Sequence, residues 1–305
     1  MVKYTALSHR WGPNGVQFIV TTRNMNELER KIPMADLSPT FRDGITITRQ
    51  LKIRYLWIDA LCIIQDDDED WRRESAKMAS VFHQAYLTLA AASPNSESKG
   101  FGLAHVECAM QFQSGAKILL KPADSTAQSH YWQVLKGSPM HDRGWIFQEM
   151  VLSSRIVHFL DGQLFWQCHS LLESEDRTVR TTENKFWNRN YSARNDFELK
   201  SSGITDGPLL SFSDFLESGA SSDGFSWWFW VLEHSRRAFT YDKDSIPSLA
   251  GAAEFYRTLS GDEPVLGLWR RDIAFHLGWV VSSKDGLGVE QPRDPRQPTW
   301  SWTCI

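Results

Sequence analysis

The sequence predicts an α/β protein, a parallel sheet with flanking helices followed by a mainly helical C-terminal region. Three observations carry that reading. Along the first third of the chain, strand-like and helix-like segments alternate, which is the grammar of βαβ units and hence of parallel strands. Two of the strand segments, "RYLWIDALCII" (54–64) and "AYLTLAAAS" (85–93), are near-continuous apolar runs. That pattern suits strands covered on both faces rather than on one. Beyond residue 225 the apolar spacing becomes helical in "WWFWVLEHSRRAF", "DSIPSLAGAAEFYRTL" and "VLGLWRRDIAFHLGWVV".

Taken in order, Tyr4 to Ser8 reads as a short strand that ends in the turn-like stretch from Ser8 to Gly15. Val16 to Thr21 reads as a second short strand. "LSPTFRDGITITRQL" (37–51) predicts a helix with Ser38 as N-cap and Pro39 in its first position. That helix sends Phe41, Ile45, Ile47 and Leu51 toward a core. The strand in 54–64 is followed by a helix from Asp67 to Ala85. The acidic run Asp66–Asp70 at its start complements the positive end of the helix dipole. "HDRGWIFQEMVLSSR" (141–155) predicts another helix, and "IVHFLDGQLFWQC" (156–168) a hairpin turning at Asp161-Gly162. Residues 173–225 are polar with Ser/Gly clusters, the signature of long loops. The expected organisation is an α/β domain over 1–175, a loop-rich linker over 176–225 and a helical region over 226–305. The last should pack on the first, because "WWFW" is too apolar to face water.

Composition narrows the function classes. The chain has 305 residues, 42% apolar and 23% charged, which fits one large or two modest globular domains. A formal net charge of −4 gives no global pull toward nucleic acid or an anionic membrane, so no nucleic-acid partner is expected. The four cysteines are widely spaced, unlike a disulfide framework. "MVKYTALSHRWG" has no apolar signal-peptide core, and no segment approaches the roughly twenty apolar residues of a membrane span. A cytoplasmic location is therefore expected, with no membrane span.

In open α/β sheets, ligands gather outside the carboxyl ends of the strands. Ser8, His9 and Arg10 leave the first strand, Asp59 leaves the next long one, and Ser93 leaves the third, so they form a candidate pocket rim. Asp59 reads equally as an Asx turn or a helix cap. On the helix 67–85, a spacing of 100° per residue sets Glu74 among Trp71, Met78, Val81 and Phe82. A carboxylate on such an apolar face is either tied to an arginine or working in a pocket. Glu149 repeats the pattern four residues after Trp145, with Arg143 nearby, and reads also as part of an Arg–Glu network joining two helices. No metal site is expected. The acidic run lacks the glycine and ligand spacing of a calcium loop. His105-x-x-Cys108 and Cys168-His169 are isolated pairs without zinc-site spacing. There is no phosphate-binding glycine loop, G-x-S-x-G or H-E-x-x-H. Cys62, inside an apolar run, reads as an inert core thiol.

"YTALSHRWG", "YLWIDALCIIQDDDEDWRRESAKM", "AYLTLAAASPNSESKGF", "RGWIFQEMVLSSRIVHF" and "FWQC" resemble, in order, the blocks of the fungal heterokaryon incompatibility (HET) domain over roughly residues 4–170. "RRAFTYDKDSIPSLAGAAEF", "GLWRRDIAFHLGW" and "PTWSW" resemble the C-terminal continuation of such proteins. The chain departs from the family at His9-Arg10, where the opening block usually carries Tyr-Cys. The resemblance implies an effector that triggers growth arrest and cell death when incompatible hyphae fuse, and a TIR/flavodoxin-like parallel sheet. Some TIR domains cleave NAD with a glutamate in a Trp-x-x-Glu context, which Trp71-Arg72-Arg73-Glu74 matches in spacing. By that likeness Glu74 would be catalytic, holding the ribose hydroxyls and stabilising an oxocarbenium-like sugar. Trp11 or Trp71 would stack on a ring, NAD would be the substrate, and no cofactor would be required. Ser8, Arg10, Trp11, Asp59, Trp71, Arg143 and Glu149 are the candidate ligand-binding residues. Two alternatives stay open at this point. One is a non-catalytic module that signals by self-association. The other is a small-molecule enzyme of secondary metabolism that reuses the fold, with His9 as its acid or base.

Overall fold

Strands β1 (Tyr4–Ser8), β2 (Tyr55–Trp57) and β3 (Leu87–Ala90) are short; β3 is buried throughout and β1 from Thr5 onward. The structure, a computed structural model, describes residues 2–11, 18–93, 96–101, 108–111, 117–120, 137–160, 163–168, 171–177, 180–181, 225–271, 273–279, 298 and 301–304. In chain order the next strands are β4 (Cys108–Gln111), β5 (Lys117–Leu120), β6 (Arg155–Leu160), β7 (Gln163–Cys168), β8 (Leu171–Ser174) and β9 (Arg180–Thr181). β4 and β5 pair as a separate hairpin, and the others form one sheet in the order β2-β1-β3-β6-β7-β8-β9. β2, β1, β3 and β6 run parallel, while β6 through β9 pair antiparallel. The expected α/β class and its parallel strands are therefore present. The expected hairpin is β6–β7, and its turn at 161–162 lies outside the described residues, as do His105, His169 and most of the 176–225 segment.

Alternation along the strands explains the two covered faces. Thr5 and Leu7 of β1 look toward helix α2 (Pro39–Gln50), where Thr5 Oγ1 and Thr48 Oγ1 lie 2.7 Å apart and Leu7 joins Phe41, Leu87, Leu89 and Phe159. Ser38 caps α2, its Oγ accepting from the Phe41 amide at 3.2 Å, as the Ser-Pro start predicts. Ala6 looks the opposite way, into Met78, Phe82 and Ala85. The same face holds Ala90 of β3 and Ile156 of β6 against helix α7 (Gly144–Leu152), which buries Ile146, Phe147, Met150 and Val151. With α1 (Met25–Leu28), α3 (Asp59–Cys62), α4 (Asp68–Ser75), α5 (Met78–Gln84) and α6 (Ser96–Lys99), these are the helices before residue 200 among the described residues.

The C-terminal helices α8 (Phe225–Ser235) and α9 (Ser245–Ser260) share that second core, and α10 (Ile273–His276) sets the His276 ring 5.5 Å from that of Trp228 on α8. Trp227, Trp230, Leu249, Ala252, Tyr256 and Trp269 lie in one apolar cluster with the α7 residues and Ile156. The contact is close at Gly251 of α9, where a Cβ would overlap Ala79 and the Gln148 side chain. The Gly251 amide donates to Gln148 Oε1 at 3.0 Å. Among the described residues no helix is long and apolar enough to cross a membrane.

Four local expectations are corrected. Residues 18–21 form no strand. The run 54–64 is strand only at Tyr55–Trp57, and from Asp59 it turns as α3, which leaves Cys62 exposed rather than in the core. The helix expected over 67–85 is two helices interrupted at Ala76-Lys77, so the apolar stripe drawn through Trp71, Glu74 and Met78 is not one helix face. "VLGLW" makes a tight hairpin between Pro264–Val265 and Leu268–Trp269. Leu266 and Gly267 turn through positive φ, and Gly267 is the residue that does so without strain.

Candidate functional site

Because β1, β2 and β3 are parallel and adjacent, Ser8, Asp59 and Ser93 emerge on one edge of the sheet, as the strand pattern predicts. The order 2-1-3 also reverses the direction of strand addition at β1, and the crevice beside such a switch point is where open sheets hold ligands. Alternation then divides the chemistry. Ser8 is fully buried on the α7 side, and its Oγ lies close to the Glu149 carboxyl, which feels it electrostatically. The geometry falls short of a hydrogen bond, and Ser8 Oγ is buried with no partner among the described residues, so Ser8 is a neighbour of Glu149 rather than its tether. His9 follows on the α2 side, edge-on to Phe41 with ring centroids 5.1 Å apart.

Asp59 joins the two halves. As the first residue of α3 it has one oxygen against the Ala60 amide at 2.7 Å, the local turn its residue type favours. The other accepts from Trp11 Nε1 at 2.8 Å, and Oδ1 stands 3.8 Å from His9 Nδ1. Arg143, at the start of α7, closes the group: its guanidinium carbon lies 5.6 Å from the centre of the Trp11 ring, and its Nη1 reaches the His9 carbonyl at 3.5 Å. Trp11 and Arg10 are half-buried beside it. Ser8, His9, Trp11, Asp59, Arg143 and Glu149, up to 141 positions apart, thus converge at one edge.

The electrostatics are set by burial. Glu149 is 6% exposed, and burial raises its carboxyl from 4.5 to about 8. The Asp59 charge pushes in the same direction, while Ser8, Arg143 and Arg237 pull against it. Burial also lowers His9, against the pull of Asp59 and with a push from Arg143, so its imidazole is neutral near pH 7. His9 Nε2 is buried with no hydrogen-bond partner among the described residues. At neutral pH the site holds a protonated Glu149 and a neutral His9 imidazole beside the side chains of Asp59 and Arg143. Environments that separate titratable groups in this way assign acid and base roles. No cluster of metal-ligating side chains occurs among the described residues.

Glu74 is not part of this group. It is 22% exposed, and its Oε1 accepts from Lys77 Nζ at 2.8 Å and Arg73 Nε at 3.3 Å on the outside of α4. The break after Ser75 is the reason, since it turns Glu74 away from the face that Met78 and Phe82 bury. Trp71 is committed to packing, edge-on to Trp145 at 6.2 Å with Lys243 5.5 Å from its ring centre. Asp70, not Glu74, is the buried acid of α4. It accepts from the Ile64 amide at 2.7 Å and pairs with Arg73, which is structural capping of the turn. A cavity of about 320 Å³ lies elsewhere, against β7 and β8, lined by Val157, Leu164, Trp166, Glu173 and Arg177.

The residue that sequence reasoning missed is Arg237, just past α8. It is 7% exposed, and its Nη1 donates to the Arg143 carbonyl at 3.2 Å. The only signal was a double arginine at the end of a strongly apolar segment, which sequence alone reads as an ordinary positive helix C-terminus.

No curated protein and no solved structure matches the chain. From β1 to Glu149 itself, the stretch that carries every one of these residues except Arg237, the chain is similar to a known family: residues 4–149 match the family model described as Heterokaryon incompatibility protein (HET).

Proposed function

We propose that this protein is a HET-type effector of fungal incompatibility and cell death, and that its edge cluster cleaves the nicotinamide–ribose bond of NAD. The observation behind the reading is the convergence of Ser8, His9, Asp59, Arg143 and Glu149 at the sheet's switch point, beside the half-buried Trp11. In the proposed reaction the C1′–N bond breaks and its electron pair returns to the pyridinium ring, releasing neutral nicotinamide. The cationic sugar faces the Asp59 carboxylate, as the carboxylates of glycoside-cleaving sites face theirs. Protonated Glu149 donates a hydrogen bond to a ribose hydroxyl. Water adds to C1′, and neutral His9 takes its proton. Trp11 stacks on a ring, and Arg10 and Arg143 balance the diphosphate. This reading moves the chemistry from Glu74, whose carboxylate already has two cations, to Asp59 and Glu149.

The test is incubation of the purified full chain with NAD, with nicotinamide followed by chromatography, for wild type, Asp59→Asn, Glu149→Gln and Glu74→Gln. Loss of about 100-fold or more is expected for Asp59→Asn, the scale of one removed electrostatic stabiliser, with Glu74→Gln close to wild type. A wild-type protein that releases no nicotinamide overturns the reading. A second reading is favoured by the near-complete burial of Ser8 and Glu149: the cluster would fix packing in a signalling module that acts by self-association. Light scattering that shows a concentration-dependent oligomer in an inactive protein would select it.

A further inference from the structure

The net charge of −4 conceals an asymmetry between the two edges of the parallel sheet. Residues 2–26, 44–58, 75–96 and 150–160, which contain β1, β2, β3 and β6 and the chain leading into them, hold no aspartate or glutamate. Asp59 and the candidate site lie at the carboxyl ends of these strands. Their amino ends carry Lys3, Arg54 and Arg155. Helix α2 stops beside them with Arg49 and Lys52, since Thr48 near its end meets Thr5 at the start of β1. All five cations are exposed. The Tyr86 amide donates to the Tyr4 carbonyl at 2.9 Å, which sets Tyr86 between Lys3 and Arg155. Lys3 Nζ and the Arg155 guanidinium carbon lie 4.9 and 5.2 Å from the centre of that one ring. Arg155 Nε also donates to the Tyr86 carbonyl at 2.7 Å, and the Arg54 guanidinium carbon lies 5.5 Å from the Tyr55 ring centre. Among the described residues none of the five cations forms an ion pair. Helix α9 approaches the same end of the molecule, with the Phe255 ring 4.7 Å from that of His83, but its Glu254 is already paired with Arg257.

We propose that this amino edge is a docking face for an anionic lipid surface. Three helices, α2, α5 and α7, end on this side, each with roughly half a negative charge at its C-terminus, which balances only part of the five cations. Lys3 and Arg155 converge on one ring although they repel each other, and a headgroup phosphate lying between them relieves that repulsion. Apolar and phenolic side chains accompany the charges: Val2, Leu51, Tyr55 and Tyr86 are all exposed on the same edge. Basic side chains with such neighbours suit a membrane interface, where the rings sit at headgroup level and the cations meet phosphate. A small acidic solute would pair with the cations and leave those four side chains in water. A nucleic acid fits less well, because Tyr55 and Tyr86 already carry cations over their rings, and a base has to displace these to stack. Asp59 and the acidic start of α4 lie beyond the carboxyl end of β2. A chain of net negative charge can therefore lie on a negative surface in one orientation, with the candidate site facing solvent.

The test is flotation of the purified full chain with vesicles of phosphatidylcholine alone and of phosphatidylcholine with about 30% phosphatidylserine. Wild type should float with the anionic vesicles only, and less so as salt rises. Lys3→Glu with Arg155→Glu should weaken binding about 10-fold or more, the scale of removing two cations from a charged surface. Lys52→Glu with Arg54→Glu should do the same, and it carries the test if the first pair fails to fold. Arg23→Glu with Arg72→Glu changes the net charge equally at exposed positions on the Asp66 side of the molecule, and should stay within about threefold of wild type. No binding to anionic vesicles, equal binding to both kinds, or edge variants that bind like wild type would overturn the proposal. Release by inorganic phosphate at matched ionic strength would mark a phosphate site, and tighter binding to a single-stranded oligonucleotide than to vesicles would mark a nucleic-acid face. Either result also overturns it.

Discussion

Replacing Glu149 by Gln keeps the shape of the side chain and removes its ionisation, so it isolates the cost of burying this carboxyl. Burial raises the folded-state value to about 8 from an ordinary 4.5. Between those two values the native protein holds a proton that the unfolded chain has lost. Stability from this group is therefore fully present below 4.5 and is lost as pH rises through about 8. At about 1.4 kcal/mol per pH unit, the loss amounts to about 3 kcal/mol by pH 7 and about 5 kcal/mol above pH 8. Relaxation around the buried charge makes these upper values. Urea unfolding at half-unit steps from pH 4.5 to 9 should show wild type losing stability against Glu149→Gln across that window, with the variant the more stable of the two at pH 8. A difference between the two proteins that stays constant over the window would show that Glu149 is not a buried, destabilised acid, and the assignment of acid and base roles would fall with it.

Three further outcomes follow from the same contacts. Glu74→Gln breaks only partly exposed ion pairs to Lys77 and Arg73, so it should cost about 0–1 kcal/mol in urea unfolding, and a loss of several kcal/mol would contradict its outward placement. His158 and His234 are lowered to about 4, by burial first and, for His234, also by Arg237, so the native protein binds these protons later than the unfolded chain. Stability should accordingly fall as pH drops from 6.5 toward 4, and ring signals of either histidine that titrate above pH 6 would refute the burial. Gly144→Ala should displace the Phe239 ring from α7 and cost about 1–3 kcal/mol, the scale of overpacking. It should also increase protease cleavage near 236–239, and a variant as stable and as protected as wild type would show that segment 236–239 is not tightly seated against α7.

Much of the architecture was legible in the chain. Apolar continuity in 85–93 reports a strand covered on both faces, and β3 is one, flanked by β1 and β6 with every residue buried. Ser38-Pro39 fixes the start of α2 because capping is satisfied within one turn. Parallel connection of successive strands puts Ser8 and Asp59 on one edge whatever the rest of the chain does, so the location of the candidate site followed from local signals alone. Which carboxylate belongs to it did not. Glu74 and Glu149 sit in similar aromatic spacing, and helical periodicity treats them alike. A two-residue interruption after Ser75 turned one outward to Lys77, and the packing of α7 against β1 buried the other. Arg237 is further from view still, because it bonds to a carbonyl 94 positions away through a bridge that exists only once α8 and α9 have docked on α7. Local patterns fix what a residue can do within a turn or a strand. Burial and charge pairing depend on contacts between distant segments, and those only the tertiary structure decides.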